Sequence, residues 1–177
     1  MLIAPRHHDI ITEQPKEWVK QKEGQIPLAD AVKLCAEFHG EYGIPSFIVG
    51  SMRRARPYVG DIDLLTHDSD NLERIDLYTN LEVLVSGPEK ISFMYKSFQI
   101  DLNVCSDSNI WGASLLHHSG SKRFNIVCRN RAISLGMKLN QHGLFKDGIL
   151  MQESESEEAV LRVLGLLHHL DPSNRMG

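Results

Sequence analysis

Hydrophobic and polar positions along the chain follow two periods, one near 3.6 and one near 2, which mark helices and strands respectively. Apolar residues at Leu28, Val32, Leu34, Cys35 and Phe38 predict an amphipathic helix over 28–39, closed by Gly40 and Gly43. Pro45–Gly50 is a short apolar run after a turn and predicts a buried strand; Asp61–Thr66 predicts a second. The Asp68-Ser69-Asp70 cluster supplies capping oxygens for a helix over 68–80. Strands follow at 82–86, 90–95 and 98–105, with Gly87-Pro88 and Lys96-Ser97 as the turns between them. Two helices are predicted at 109–118 and 121–135, separated by Gly120 and closed by Gly136. Residues 138–145 are strand-like and lead into a hairpin-type turn at Lys146-Asp147-Gly148. A last helix covers 154–168, with Ser154 and Glu157 as a capping box and Val160, Leu161, Leu164 and Leu167 on its apolar face.

The pattern as a whole predicts an α/β (α+β) chain. A polar, weakly patterned N-terminal extension occupies residues 1–26, a sheet-bearing lobe 27–107, and a smaller lobe of helix and strand 108–177. Composition changes little: 42% hydrophobic and 24% charged residues are those of an ordinary globular chain. No apolar run approaches the roughly 20 residues that span a bilayer. The N-terminus lacks a basic segment followed by an apolar core, so no membrane is expected and the cytoplasm is the default compartment. Cys35, Cys105 and Cys128 are odd in number and widely spaced, which points to neither a disulfide framework nor a zinc site.

Charge does change the picture. The net charge of −4 disfavours a polyanion partner, but its distribution does the opposite. From Ser108 to Lys146 there is no acidic residue, and the stretch carries Lys122, Arg123, Arg129, Arg131, Lys138 and Lys146. Acidic residues return at Asp147, Glu153, Glu155, Glu157 and Glu158. A basic face on the second lobe, opposite carboxylates on the first, would hold a polyanion across the cleft between them.

The carboxylates are Asp61, Asp63 and Asp101. Residues i and i+2 of a strand share a face, so Asp61 and Asp63 can converge while Ile62 anchors the core. Adjacent carboxylates repel one another unless a cation lies between them. Gln99-Ile100-Asp101-Leu102 offers a third acid in a similar setting. Three strand-borne carboxylates suit a two-metal site for displacement at phosphorus, with Mg²⁺ as the hard ion and Mn²⁺ as a substitute. Separated from Asp61 by nine intervening residues, Gly50-Ser51 ends the first strand. The glycine permits close backbone approach, the serine offers a hydroxyl to phosphate, and Arg54 follows one turn on.

Taken together, Val49-Gly50-Ser51-Met52-Arg53-Arg54-Ala55-Arg56-Pro57-Tyr58-Val59-Gly60-Asp61-Ile62-Asp63 resembles the signature of the nucleotidyltransferase superfamily, and within it the family X DNA polymerases. Phe98-Gln99-Ile100-Asp101 resembles the family's third-aspartate strand, with Gln99 where arginine is usual. His117-His118-Ser119-Gly120 resembles its aromatic-Thr-Gly turn, and Ser121–Asn125 with Arg129 its base-pair-sensing helix. Gly136–Lys146 resembles the segment that follows.

The resemblance spans about residues 28–170 and implies a nucleotidyltransferase palm with a mixed sheet and a thumb-like C-terminal lobe. It implies that Asp61, Asp63 and Asp101 hold two Mg²⁺ ions and that Gly50, Ser51, Arg54 and Gly60 hold a triphosphate. His117, Ser119, Gly120 and Asn125 would contact the nucleotide, and Lys122, Arg123, Arg129, Arg131 and Lys138 the DNA. The activity implied is template-directed addition of a dNTP to a primer 3′-hydroxyl on gapped or primer–template DNA, by a monomer. The rivals are a template-independent transferase acting on RNA or a protein hydroxyl, and a non-catalytic nucleic-acid-binding module. The histidine pairs His7-His8, His117-His118 and His168-His169 do not share a helix face and predict no zinc site. Trp18 and Trp111 are expected to pack rather than stack on bases, and Cys105 and Cys128 to be buried hydrophobes.

Overall fold

A computed structural model describes residues 21–78 and 80–175. Trp18, the His7-His8 pair and most of the N-terminal extension lie outside the described residues.

The first lobe begins with β1 (Ile26–Pro27) and α1 (Leu28–Tyr42), followed by β2 (Phe47–Ile48), α2 (Gly50–Arg53), β3 (Tyr58–Val59), β4 (Ile62–Thr66), α3 (Asp70–Leu77), β5 (Glu82–Ser86), β6 (Lys90–Tyr95) and β7 (Phe98–Val104). A mixed five-stranded sheet has the order β2-β4-β7-β6-β5. Only the β4–β7 pair is parallel; the other neighbours are antiparallel. The apolar face of α1, carried by Ala31, Cys35, Phe38 and Tyr42, is buried against this sheet. The Phe38 ring lies 5.5 Å from those of Phe93 and Tyr95. Burying such a side chain stabilises the fold by about 3 kcal/mol.

Several boundaries differ from the sequence expectation for local physical reasons. Gly40 does not end α1, because a glycine on an exposed helical face costs only about 1 kcal/mol in propensity. Gly43 ends it, at φ 60°, where its N–H donates to the His39 carbonyl. The strand expected over 45–50 narrows to Phe47–Ile48, because Gly50 adopts φ 61° and turns the chain into α2. Asp61 lies just before β4 rather than within it. The helix expected over 68–80 shortens to α3, where Asp68 accepts from the Asp70 N–H instead of opening the helix. The β1–β3 pairing was not foreseen; its strands are two residues each and carry no periodicity.

The second lobe contains α4 (Trp111–Ser119), α5 (Lys122–Ser134), β8 (Met137–Asn140), β9 (Gly143–Lys146), β10 (Ile149–Leu150) and α6 (Glu157–Val163). Ser121 caps α5 by accepting from the Phe124 N–H. The single strand expected at 138–145 is a hairpin. Asn140 Oδ1 accepts from the His142 N–H and reverses the chain, so Leu139 and Leu144 face each other across β8 and β9. The turn brings onto one face two leucines that a straight strand would place on opposite faces. A second turn at Asp147 and Gly148, both at positive φ, leads into β10.

The last helix starts at Glu157 rather than Ser154. The Ser154 hydroxyl is already engaged with the Leu144 backbone, and Ser156 accepts from the Ala159 N–H as the cap. It ends at Leu164, so Leu167 lies in a separate turn. α4 runs directly against the start of α6: a Cβ on Gly112 would lie 2.1 Å from the Ser156 carbonyl carbon.

Each lobe has its own buried cluster. One is built from α1, α3 and the five-stranded sheet, the other from α4, α5, α6, β8 and β9. A small third cluster of Val49, Leu65 and Cys105 with Ile110, Trp111 and Leu115 joins them. Trp111 is a packing residue, as expected, with His67 stacked on it at 3.6 Å and Phe47 at 5.0 Å. All three cysteines are buried and free. Among the described residues no helix is long and apolar enough to cross a membrane.

Candidate active site

The parallel pairing of β4 and β7 sets Asp63 directly beside Asp101 in register. Asp61 enters from the turn before β4, held there because Ile62 is fully buried. Oxygens of the three carboxylates all lie within 4.8 Å of one another, and among the described residues no other group of three metal-ligating side chains forms. Burial pushes the Asp63 carboxyl up to about 7, helped by the negative charges of Asp61 and Asp101. Asp61 is also raised, by burial and by Asp101. Burial acts on Asp101 in the same sense, but hydrogen bonds from Lys90, Gln99 and Ser92 outweigh it and hold its carboxyl below the ordinary value. Such a donor set, hard, anionic and mutually repelling, fits a divalent cation.

The glycine turn seals one side of this cluster. Val49 N–H donates to the Asp63 carbonyl at 2.9 Å. A Cβ on Gly50 would lie 1.9 Å from Asp63 Oδ2, so only glycine fits there. Beside it, the Ser51 hydroxyl and Arg54 Nε are buried with no hydrogen-bond partner. Buried donors left this way cost about 1–3 kcal/mol each, and an oxyanion ligand would satisfy both. Arg54 is depressed by burial and by Arg56, and Asp63 counters that shift. Gly60 is exposed next to Asp61.

The second lobe is tied to this turn. Arg54 donates to the Ser119 carbonyl and Arg53 to the Ser119 hydroxyl, which itself donates to the Leu115 carbonyl. Arg53 also forms a bidentate pair with Glu157 at 2.7 and 2.8 Å. Glu157 in turn holds the fully buried Arg175 at 2.9 Å. Ser119 is therefore engaged in joining the lobes. Gly120 follows at φ 61°, with Arg54 Nη1 about 3.1 Å from where a Cβ would stand. Asn125 Nδ2 donates to the His117 carbonyl at 2.7 Å, and Arg129 Nε to the Asn125 carbonyl. Burial lowers His117, with Arg129 adding to it; burial and His117 push His118 down to about 4.

Lys122, Arg123 and Arg129 are exposed on α5, on the outer surface it shares with Ile126, Val127 and Ile133. Lys138 is exposed on β8. Arg131 has a structural partner: its Nε donates to the Leu164 carbonyl at 3.0 Å and satisfies the end of α6. The structure thus gathers Gly50, Ser51, Arg54, Asp61, Asp63, Asp101, Ser119 and Gly120 around one place. Sequence reasoning missed Lys90, Glu157 and Arg175. Lys90 meets Asp101 only through the register of β6 on β7, which no local pattern encodes.

A mixed sheet carrying three convergent carboxylates, with a helical lobe closing on a glycine turn, is a polymerase β-like nucleotidyltransferase fold. The family described as DNA polymerase beta thumb matches residues 114–175. The Saccharomyces cerevisiae DNA polymerase IV is 41% identical over 64 residues, covering 36% of this chain and 11% of that protein. The Bacillus subtilis DNA polymerase/3′-5′ exonuclease PolX is 28% identical over 138 residues, 71% of this chain and 24% of that protein. Crystal structures of Leishmania infantum polymerase beta superpose with TM-scores of 0.64 in a ternary P/T complex and 0.65 in a ternary gap complex. Both are 25% identical and cover 88% of this chain, and 78% and 72% of those chains. The chain is thus similar to polymerase β-like DNA polymerases, and its residues 114–175 match their thumb. It spans less than a quarter of the length of the two sequence relatives.

Proposed function

We propose that the chain is a DNA-directed DNA polymerase that joins a dNTP to a primer 3′-hydroxyl with release of pyrophosphate, acting on gapped or primer–template DNA as a monomer. The observation that carries this reading is the convergence of Asp61, Asp63 and Asp101 beside a glycine turn with two unsatisfied buried donors. Asp61 and Asp63 would hold both of two Mg²⁺ ions, and Asp101 the one on the primer side. When bound, the ions supply acidification of the 3′-hydroxyl and neutralisation of the triphosphate.

The chain's own residues do the rest. Ser51 and Arg54 offer their orphaned donors to the triphosphate, and Gly50 and Gly60 keep the approach open. His117, Ser119, Gly120 and Asn125 would border the nucleotide, with Asn125 and Arg129 sensing the nascent pair from α5. Lys122, Arg123, Arg129 and Lys138 would neutralise DNA phosphates, and Arg131 would add its charge while bracing α6. Residues 27–107 act in this reading as the palm and 108–177 as the thumb. Support for a gapped substrate is the likeness to the Leishmania infantum polymerase beta gap complex.

The test is extension of a labelled primer on gapped, recessed and single-stranded DNA, with each dNTP in turn, by wild type and Asp101→Ala. Templated insertion by the wild type, lost by at least about a thousandfold in Asp101→Ala, is the expected result. Insertion of all four nucleotides irrespective of template would mean a template-independent transferase. Wild-type rates in Asp101→Ala would end the three-carboxylate reading.

A further inference from the structure

Lys90 lies on β6 opposite Asn103, one step diagonal from Asp101, whose direct partner across the strands is Ser92. Its Nζ donates to Asp101 Oδ2 at 2.6 Å, while Gln99 Nε2 donates to Asp101 Oδ1 at 2.9 Å. Both oxygens of one of the three carboxylates are therefore engaged by the protein itself, one of them by a full positive charge. The ammonium lies 2.6 Å from Oδ2, so a cation binding that oxygen would meet its charge at close range. Two cations a few ångströms apart repel strongly at the edge of a protein interior.

The pair is asymmetric. Asp101 is 8% exposed and fixed in the sheet, whereas the Lys90 side chain is 44% exposed, a flexible four-carbon stem rising from the rim. That rim belongs to a cavity of about 480 Å³ between the lobes. Its walls include Asn103, His117, His118, Gln141 and His142, with Glu89 and Asp107 also on the lining. Among the described residues lining it, Lys90 is the only lysine or arginine. The same ammonium can thus be drawn toward the carboxylates or toward an anion in the cavity.

We propose that Lys90 is an internal counter-ion that divalent metal must displace from Asp101 and that an entering nucleic-acid strand draws into the cavity, so that this side chain couples strand binding to metal binding. The proposal rests on the metal-dependent polymerase reading of the site. With no strand present, Lys90 positions Asp101, offsets the repulsion among the carboxylates and keeps metal affinity low. A phosphate backbone in the cavity offers the ammonium a second anionic partner and leaves Asp101 Oδ2 open to the ion. Linkage requires the reverse as well: metal on the carboxylates strengthens strand binding by the same factor.

The test uses Mn²⁺ alone as probe, followed by the loss of its free-ion electron paramagnetic resonance signal. It is titrated into the protein with and without a gapped duplex whose primer ends in a dideoxynucleotide, so that no chemistry occurs. Lys90→Met should bind Mn²⁺ about tenfold or more tighter than wild type in the absence of DNA. DNA should then raise its affinity by a smaller factor than it does in wild type. Lys90→Gln, which keeps a donor without the charge, should behave like Lys90→Met if the latter folds poorly. Lys90→Arg, which keeps the charge, should stay near wild type. Equal Mn²⁺ affinity in wild type, Lys90→Met and Lys90→Gln, or an equal effect of DNA on all of them, overturns the proposal while leaving the metal site in place. Absence of Mn²⁺ binding by the wild type in both states sinks the metal reading, and this proposal with it.

Discussion

Asp63 concentrates the electrostatics of the site in one side chain. It lies beside two other carboxylates and under the glycine turn, and its carboxyl is pushed up to about 7 from an ordinary 3.8. The sign of the consequence is fixed by linkage. A carboxyl whose folded-state value is raised holds a proton that the unfolded chain has already lost. In the metal-free protein it therefore contributes stability that is lost as pH rises from about 4 to about 7. A cation binds the ionised form, so binding must expel that proton. Mg²⁺ affinity should accordingly rise with pH up to about 7 and level off above it. Calorimetric titration near pH 6 in two buffers of different ionisation enthalpy should register proton release, and Asp63→Asn should abolish it. A heat independent of buffer would show that Asp63 is already ionised and that the burial argument fails. These residues were legible in the sequence because their chemistry is local: Gly50, Asp61 and Asp63 share one short segment, and Asp101 sits in a strand of similar pattern. Lys90 was not, since its meeting with Asp101 depends on the pairing of two strands and on a diagonal step across them.

Among the elements, the contact of α2 with α6 joins the two lobes by charge. Glu157 accepts both nitrogens of Arg53 and also holds Arg175, whose side chain is fully buried. Removing the carboxylate leaves a buried guanidinium without its counter-ion, a change that costs about 3–5 kcal/mol. Glu158 is the natural control, because its pair with Arg162 is 50% and 64% exposed and such pairs contribute less than about 0.5 kcal/mol. Urea unfolding of Glu157→Ala and Glu158→Ala should separate the two by several kcal/mol; a difference below about 1 kcal/mol would mean the α2–α6 link is dispensable. The same region marks where sequence reading faltered. Ser154-Glu155-Ser156-Glu157 contains two candidate caps, and the choice between them is made by β9, whose backbone takes the Ser154 hydroxyl. The hairpin at 137–146 turns on a parity: Leu139 and Leu144 would lie on opposite faces of one straight strand, and the two-residue turn brings them onto the same face.

Over the whole molecule, an acidic net charge coexists with a stretch from Ser108 to Lys146 that has no acid in it. The carboxylates that compensate it lie before residue 108 and after residue 146, so the sum of charges gave the weaker guidance and their order along the chain the stronger. Fold class could be anticipated because helix and strand periods switch cleanly along the chain. The two-residue strands β1, β3 and β10 could not, because each is shorter than any period and forms only where a neighbour is already in place.

The parallel alignment of β4 with β7 also bears on how the chain reaches its native state. Parallel neighbours cannot be joined by a tight turn, and here α3, β5 and β6 all intervene. The β6–β7 hairpin closes over the two-residue turn at Lys96-Ser97, so it can form early, whereas docking β4 needs a distant segment to return. Asp63 and Asp101 come together only at that late step, against their mutual repulsion. In stopped-flow refolding, recovery of a terbium-luminescence signal at the carboxylates should lag recovery of sheet circular dichroism, and saturating Mg²⁺ should slow unfolding more than it speeds folding. Simultaneous recovery of the two signals would place this pairing among the first events instead.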